Sequence, residues 1–263
     1  NVPGILSAKP GDGSVRIIDL IQKAFADAGY AVLPDLSNAI IDMTEYGVPQ
    51  NRKRIIILGV SKEHYGDKAE AMVEKFYSSY LPEYKIEKKA TVRDAIGDLP
   101  KLRPLDEPIS YLGRKLSHSV SDPLINGHIS RFHNKRDIEL FKFLEEDIAS
   151  GRMKYTSAKS LKTLYTKLTG KTSNVHKYYV LRWDEPSNLI PAHLFKDGLR
   201  HIHPDPEQAR TITVREAARL QTFPDDYYFN CSQTDAFKMI GNAVPPLFAK
   251  KVAYAIYHLI QEN

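Results

Sequence analysis

The chain has 263 residues, enough for one or two domains, and its composition of 42% hydrophobic and 26% charged residues is ordinary for a globular protein. Its single cysteine, Cys231, excludes an internal disulfide framework and a multi-cysteine zinc site, and no apolar run approaches the ~18 residues that span a bilayer. The net charge of +5 and the pI of about 9.0 favour a polyanionic partner without identifying one.

The first elements predicted along the chain are a loop, a helix and short strands. Asn1–Gly13 is rich in proline and glycine and predicts a loop. Ser14–Tyr30 has apolar residues at helical spacing, and Gly29 is a plausible stop for that helix. Ala31–Leu33 and the stretch around Ile40 are candidate short strands.

The next segments alternate between helical patterns and irregular chain. The β-branched run Arg54–Val60 predicts a continuous buried strand, and Lys68–Tyr80 predicts a helix. Thr91–Asp94 resembles a capping box, with Asp in the place of Glu, and opens a short helix. Residues 102–134 predict loops and short strands, and Asp137–Ser150 predicts a helix with one apolar side.

The last part of the chain has stronger local signals. Residues 154–177 are polar and basic, and no element is assigned to them. Thr213–Glu216 is a full capping box, so a helix should begin there and end near Gln221. Gly241–Pro246 predicts a turn and Leu247–Ile260 a final helix.

A basic run, Gln50-Asn51-Arg52-Lys53-Arg54, stands immediately before the apolar run. Side chains alternate along a strand, so Arg52 and Arg54 should point to the same side. A guanidinium offers several fixed donors and suits a phosphate oxygen or a base carbonyl. On spacing alone, a solvated basic turn before a core strand remains the better explanation.

Three runs together resemble the C-terminal half of a DNA cytosine-5 methyltransferase of the bacterial type. They are Gly47–Val60, Arg210–Asp226 and Ile240–Ile256, in this order and with a long variable stretch between the first two. The resemblance implies an α/β fold, in which part of a Rossmann-like, S-adenosylmethionine-dependent catalytic domain is joined to a mixed, loop-rich target-recognition domain.

The resemblance also implies a division of the chain. Residues 1–60 would be the C-terminal part of the catalytic domain, and residues 61–209 the target-recognition domain. Residues 210–263 would hold a helix that supports the recognition domain and a last helix that returns to the catalytic domain.

Site residues follow from matching the family motifs position by position. The resemblance implies that Arg54 contacts the carbonyl of the target cytosine and that Arg52 is its partner near the nucleophile loop. It also implies that Arg52 and Gln50 contact DNA and that Gln50 positions the turn. The turn of Asn242, Ala243 and Val244 would close the S-adenosylmethionine pocket. Asn1 and Val2 match the end of the family's Glu-Asn-Val tripeptide, whose Glu is not in this sequence.

The candidate DNA contacts in the variable stretch are basic side chains, which read guanine or hold phosphate. Each of them alone is better explained as a solvated surface charge. The candidates are Arg131, Arg182 and Arg200, with His133, Lys135 and Lys196 beside them.

Other family motifs have no counterpart in this sequence. The family nucleophile is a cysteine in a Pro-Cys motif, whereas Cys231 lies between Asn and Ser, and the Gly-rich cofactor loop is not found. We therefore expect an incomplete S-adenosylmethionine site and no catalysis by this chain alone. Expected partners are double-stranded DNA and a cysteine-bearing N-terminal half of the enzyme, in the same chain or in a separate subunit.

Several alternatives stay open at this point. The chain begins on Asn1 rather than Met, which favours a portion of a longer methyltransferase over a natural subunit of a split enzyme. A non-catalytic, sequence-specific DNA-binding protein is a further alternative, although it would not need Arg52, Arg54 or Asn242. We expect the protein to act in the bacterial cytoplasm, near the nucleoid, and to expose apolar surface that promotes association.

Overall fold

A computed structural model describes residues 3–11, 13 and 15–263, which divide into two units. Unit 1 combines the chain up to Lys89 with Pro246–Asn263, and unit 2 is Ala90–Pro245. These two units are defined by packing, whereas the boundaries predicted near residues 60 and 209 separate functional domains. The functional boundaries therefore stay a prediction. Among the described residues, none of the helices has the length and apolar character needed to cross a bilayer.

Unit 1 contains helices and two antiparallel strand pairs, β1 with β4 and β2 with β3. Its helices and strands are α1 (Ile17–Asp27), β1 (Tyr30–Ala31), β2 (Ile40–Asp42), β3 (Lys53–Ile55), β4 (Val60–Ser61), α2 (Lys62–Tyr65), α3 (Lys68–Lys75) and α9 (Pro246–Gln261). Shorter turns of 3-10 helix occupy Pro3–Leu6, Leu36–Ala39, Met43–Tyr46 and Pro82–Tyr84. One apolar core joins these elements and includes Met43, Phe76 and Phe248.

The helices predicted in unit 1 are confirmed with shifted ends. Helix α1 ends at Asp27, two residues before Gly29, and α9 begins at Pro246, one residue earlier than predicted. Helix α3 continues into one π-helical segment, Phe76–Tyr80, so the helical region predicted up to Tyr80 is present.

The prediction of one buried strand over Arg54–Val60 is wrong. Only the two ends of this run are strands, and the residues between them are half-buried and irregular. The Tyr77 hydroxyl accepts a hydrogen bond from the Leu58 N–H at 2.8 Å and donates one to the Ile56 carbonyl oxygen at 2.7 Å. A tyrosine side chain therefore satisfies backbone groups that a neighbouring strand would otherwise bond.

Unit 2 is built mainly from helices and one antiparallel hairpin. Its helices and strands are α4 (Val92–Ile96), β5 (Pro104–Tyr111), β6 (Arg114–His118), α5 (Lys135–Ala149), α6 (Ala158–Thr169), α7 (Val214–Leu220) and α8 (Gln233–Asn242), with a 3-10 helix at Ala192–Phe195. The hairpin pairs Ile109 with Leu116 and Tyr111 with Arg114. One core cluster surrounds α7 and α8, and another joins α5 to α6.

Both predicted capping boxes are confirmed in unit 2. The Thr213 hydroxyl accepts from the Glu216 N–H, and the Glu216 carboxylate accepts from the Thr213 N–H at 2.7 Å. The same reciprocal bonds join Thr91 and Asp94, which shows that Asp replaces Glu in this role.

Two helices of unit 2 were not predicted. Helix α6 lies in the stretch described above as polar and basic, and its signals are the Ser157 cap and the spacing of Leu161 and Leu164. Helix α8 extends to Asn242, so the predicted turn at Gly241–Pro246 begins only at Ala243.

Gly241 permits close contact between α8 and the 3-10 helix at Ala192–Phe195. A Cβ atom on Gly241 would lie 2.3 Å from both the Ala192 nitrogen and the Pro191 carbonyl carbon. Since real Cβ atoms do not approach backbone so closely, only glycine fits between these helices.

Replacing Gly241 by alanine should therefore destabilise unit 2. We expect G241A to lower the free energy of unfolding by at least about 2 kcal/mol, because backbone atoms must move to admit the methyl group. Gly11 has open space around the same position, so G11A is the matched control and should stay within about 0.5 kcal/mol. Urea denaturation of both variants measures the difference, and equal stabilities would contradict this packing role.

Candidate functional site

The loop that leads to Gln50 has a fixed backbone in unit 1. The 3-10 helix Met43–Tyr46 ends at Gly47, which adopts the left-handed conformation with φ of 87°. The Val48 N–H bonds the Met43 carbonyl oxygen, and the Gln50 N–H bonds the Val48 carbonyl oxygen at 2.8 Å. This tight turn buries Gln50 completely.

Of the two predicted arginines, Arg52 lies immediately before β3 and Arg54 lies within it. The Arg52 carbonyl oxygen accepts from the Met43 N–H, and Arg54 pairs with Ile41 in the neighbouring strand. Arg52 is 4% exposed and Arg54 is half-buried, whereas Lys53 between them faces solvent near Asp42. The alternation expected from a strand is therefore present.

The charges of Arg52 and Arg54 interact with each other. Burial, together with the positive charge of Arg54, lowers the pKa of Arg52 to about 10. Burial also lowers the pKa of Arg54, whose Nη1 donates to the Lys53 carbonyl oxygen at 2.8 Å. Both groups stay protonated at neutral pH, so the chain holds two partly desolvated cations side by side.

The second predicted site segment follows α8 in unit 2. Asn242 is the last residue of α8 and is exposed, and Val244 is 53% exposed. Ala243 is fixed between them, because its carbonyl oxygen accepts from the Gln221 Nε2 at 2.7 Å. Gly241, which packs closely against Pro191 and Ala192, immediately precedes this turn. The turn itself exposes the Asn242 amide and the Val244 side chain to solvent.

The three arginines predicted to contact DNA differ in how many contacts they make within unit 2. Arg131 donates to the carbonyl oxygens of Leu194 and Phe195 at 3.2 and 3.3 Å, and its guanidinium lies 4.9 Å from the Phe237 ring. Burial lowers the pKa of Arg131. Its DNA contact stays a prediction, and the structure gives it a packing role.

Arg182 and Arg200 are half-buried on unit 2. The Arg182 guanidinium donates to the Val180 carbonyl oxygen at 2.6 Å and lies 5.5 Å from the Tyr179 ring. Lys196 is exposed, and so is Lys135, which pairs with Glu107.

His133 is not the surface residue that we expected. It is 6% exposed, and its Nε2 accepts from the Thr211 N–H at 3.2 Å. Burial lowers its pKa to about 3, and the Phe141 ring packs against it edge to face. His133 therefore belongs to the core of unit 2 and not to a DNA surface.

A buried ion pair that the sequence analysis did not identify lies beside the α7 capping box. Arg210 donates to both oxygens of Glu216 at 2.6 and 2.7 Å, and neither side chain is more than 1% exposed. Burial alone would raise the pKa of Glu216, but the charge and hydrogen bonds of Arg210 hold it far below its usual range. The sequence feature that could have indicated this pair is the six-residue spacing between Arg210 and Glu216, with the capping box between them.

The arginine next to this pair also has a structural role. Arg215 is buried and donates to the carbonyl oxygens of Asn126, Pro224 and Tyr227 at 2.8, 3.1 and 2.8 Å. These contacts hold the backbone at three places around α7.

Cys231 is a free, exposed thiol at a small cavity of about 210 Å³ beside the hairpin turn. Its sulfur lies 3.8 Å from that of Met239. Within the part of the chain that the structure describes, no group of three or more His, Cys, Asp or Glu side chains could hold a metal ion.

Comparison with known proteins identifies a family. The family model for the C-5 cytosine-specific DNA methylase matches residues 1–258. A solved structure of a prophage-encoded E. coli protein, described as a DNA modification methyltransferase, superposes with a TM-score of 0.60 at 22% identity. The superposition covers 99% of this chain and 68% of the E. coli chain, and the likeness supports an α/β methyltransferase fold.

Curated relatives are longer than this chain. A type II methyltransferase of Bacillus paralicheniformis is 34% identical over 99% of the chain, which spans 59% of that relative. A type II methyltransferase of Thalassovita gelatinovora is 30% identical over 97% of the chain, which spans 72% of that protein.

Four histidines of unit 2 should make its stability depend on pH. Burial lowers the pKa of His118 and His201 to about 4, and that of His133 and His203 to about 3. At a pH below the ordinary histidine pKa of 6.5, these four side chains bind protons in the unfolded chain but stay neutral in the folded chain. Stability is therefore complete above pH 6.5 and falls as the pH drops from there toward 4.

We expect the unfolding free energy to fall by about 2 to 5 kcal/mol between pH 7.5 and 5.5. Burial raises the pKa of Glu145, and this shift opposes the trend. Replacing buried His118 by glutamine should reduce the proton uptake on unfolding at pH 5.5 by about one. Urea titrations at each pH measure the slope, and uptake of less than one proton on unfolding at pH 5.5 would contradict the prediction.

Proposed function

Because the chain belongs to the C-5 cytosine-specific DNA methylase family, we propose that it is the DNA-recognising portion of a type II DNA (cytosine-5) methyltransferase. The complete enzyme would move a methyl group from S-adenosylmethionine to C5 of a cytosine flipped out of a specific duplex sequence. It would serve restriction-modification in a bacterial cytoplasm. This chain would contribute DNA recognition and part of the cytosine pocket.

The paired arginines of β3 carry this proposal. Cytosine C5 becomes nucleophilic when a thiolate adds to C6, and negative charge then develops on the ring. Arg54 would donate to the base carbonyl oxygen, and that fixed cation would stabilise the developing charge. Arg52, more deeply buried and next to Arg54, would hold the pocket in shape, and Gln50 would fix the turn that starts the strand.

The turn after α8 fits one edge of a cofactor site. The exposed Asn242 amide can donate and accept hydrogen bonds, and exposed Val244 offers an apolar contact beside the anchored backbone of Ala243. These groups suit the polar and apolar parts of S-adenosylmethionine, which supplies an electrophilic methyl group on a sulfonium when bound. The three residues form only part of such a site.

The division of labour follows the family. Residues 1–60 would complete the catalytic domain, residues 61–209 would read DNA, and residues 210–263 would support the recognition domain and return to the catalytic domain. Arg182 and Arg200 would contact DNA directly. Arg131 would do so only by giving up its hydrogen bonds to the chain near Leu194.

The nucleophile would come from a Pro-Cys motif outside this chain. Cys231, the one cysteine, stands between Asn230 and Ser232 and cannot supply that motif. We therefore expect no methyl transfer by the chain alone, and recovery when a cysteine-bearing N-terminal half is present in the same polypeptide or as a subunit.

Arg54 gives the sharpest test of this function. In the complete protein that contains this chain, R54A should lower kcat for methyl transfer to duplex DNA by about 10²- to 10³-fold, because one fixed donor to the transition state is lost. Transfer of radiolabelled methyl from S-adenosylmethionine to DNA measures it. Lys53 lies on the opposite side of the same strand and faces solvent, so K53A should stay within about twofold.

Two results would contradict the proposal. One is equal activity of R54A and K53A, which would remove Arg54 from the pocket. The other is a complete protein that binds DNA but transfers no methyl group, which would favour a non-catalytic DNA-binding protein.

A further inference from the structure

Helix α6 presents two contrasting faces. Leu161 and Leu164 are buried against Phe141 and Leu144 of α5. The opposite face contains Lys159, Lys162, Thr163, Thr166 and Lys167, which recur at the three- and four-residue spacing of one helical side and are all exposed. We refer to this face, together with exposed Lys171 after the helix, as the lysine face.

The lysine face includes a shallow groove. Its volume is about 490 Å³, and the chain after α6 turns back at Gly170 to form one wall. On the helix side the groove is lined by two lysines and two threonines, Lys162, Thr163, Thr166 and Lys167. On the other side it is lined by the hydroxyl residues Thr172 and Ser173. Lysine ammonium and threonine or serine hydroxyl groups are the donors that proteins use to hold phosphate oxygens.

The stretch of sequence that contains this face carries charge of one sign, although Arg152 and Lys177 at its ends pair with Asp147 and Asp197 from outside it. Residues 148–183 contain eight lysines and arginines and no aspartate or glutamate, although the whole chain has 32 acidic residues against 37 basic ones. Among the described residues, no lysine of this face forms a salt bridge, whereas Lys142 on α5 pairs with Glu146 in the usual helical manner. A solvated helix face normally mixes signs, since unpaired like charges cost stability.

The positive surface continues beyond α6 to the predicted DNA contacts. The Tyr165 ring of α6 lies 5.8 Å from the Tyr178 ring, and the next residue, Tyr179, bonds the Leu199 carbonyl oxygen beside Arg200 through its N–H. The Arg182 guanidinium lies 5.5 Å from the Tyr179 ring, which packs against His176 at 5.7 Å. The α6 lysines and these two arginines therefore form one basic surface on unit 2.

We propose that the lysine face of α6 holds the phosphate backbone of duplex DNA beside the recognition site, continuous with Arg182 and Arg200. The inference rests on the proposed function and adds to it a contact that carries affinity without reading sequence. Lysine is a flexible point charge, which suits phosphates at several positions better than a base edge at one. A membrane surface fits poorly, because Leu161 and Leu164 are buried in the core and Leu168 is the one α6 leucine left exposed.

The salt dependence of DNA binding tests this surface. We would compare the chain with K159Q/K162Q/K167Q/K171Q and with a control, K9Q/K23Q/K88Q/K89Q, that removes four exposed lysines from unit 1. The probe is a fluorescent duplex, with anisotropy measured at several salt concentrations. Each phosphate contact contributes about 0.9 to the slope of log K against log salt, so the α6 variant should lose about 3 to 4 from the slope.

The α6 variant should also bind at least about tenfold more weakly at 0.1 M salt, while the control keeps most of its slope and affinity. Circular dichroism should show that both variants are folded, since every replaced side chain is exposed.

The outcomes separate the two proposals. If the unaltered chain does not bind duplex DNA, the DNA-recognition function is wrong, and the inference fails with it. If the chain binds duplex DNA but the α6 and control variants lose equal slope, the lysine face is wrong and the function stands. A loss seen with single-stranded RNA or anionic vesicles but not with duplex DNA would also overturn the lysine face as a DNA surface.

Discussion

The buried ion pair between Arg210 and Glu216 is the constraint on which unit 2 depends. Two charges that are almost fully removed from water are stable only when each finds hydrogen-bond partners, and breaking such a pair costs about 3–5 kcal/mol. Glu216 also accepts from the Thr213 N–H, while Arg210 also donates to the Gln208 side chain at 2.6 Å. The pair thereby joins the start of α7 to the chain that precedes it, and the capping box is part of the same network.

This network decides what the surrounding residues can do. Burial lowers the pKa of His118, and the charge of Arg210 acts in the same direction, so this ring is neutral at neutral pH and bonds the Gln208 carbonyl oxygen at 2.8 Å. Arg215, one residue away from Glu216, fixes the loops at Asn126 and Pro224 through backbone carbonyls. Loops held in this way give the exposed elements of unit 2 a rigid base.

Local chemistry made part of this fold predictable, and distant contacts made the rest unpredictable. Both capping boxes and α1 follow from a few adjacent residues, so the sequence predicted them correctly. The strand expected over Arg54–Val60 failed because its backbone bonds to Tyr77, whose position no local pattern reveals. Helix α6 was missed because lysines and threonines hide the short apolar spacing of Leu161 and Leu164.

The candidate site likewise has features that the sequence predicted and features that it did not. The alternation along β3 predicted that Arg52 and Arg54 share a side, but not that burial and mutual repulsion lower the pKa of Arg52 to about 10. Removing two adjacent cations from water is unfavourable, and an electron-rich oxygen beside them offsets that cost. The α6 lysines are solvated and avoid this cost. Fixed arginines therefore suit one oxygen of one base, whereas mobile lysines suit a backbone whose phosphates pass at many positions.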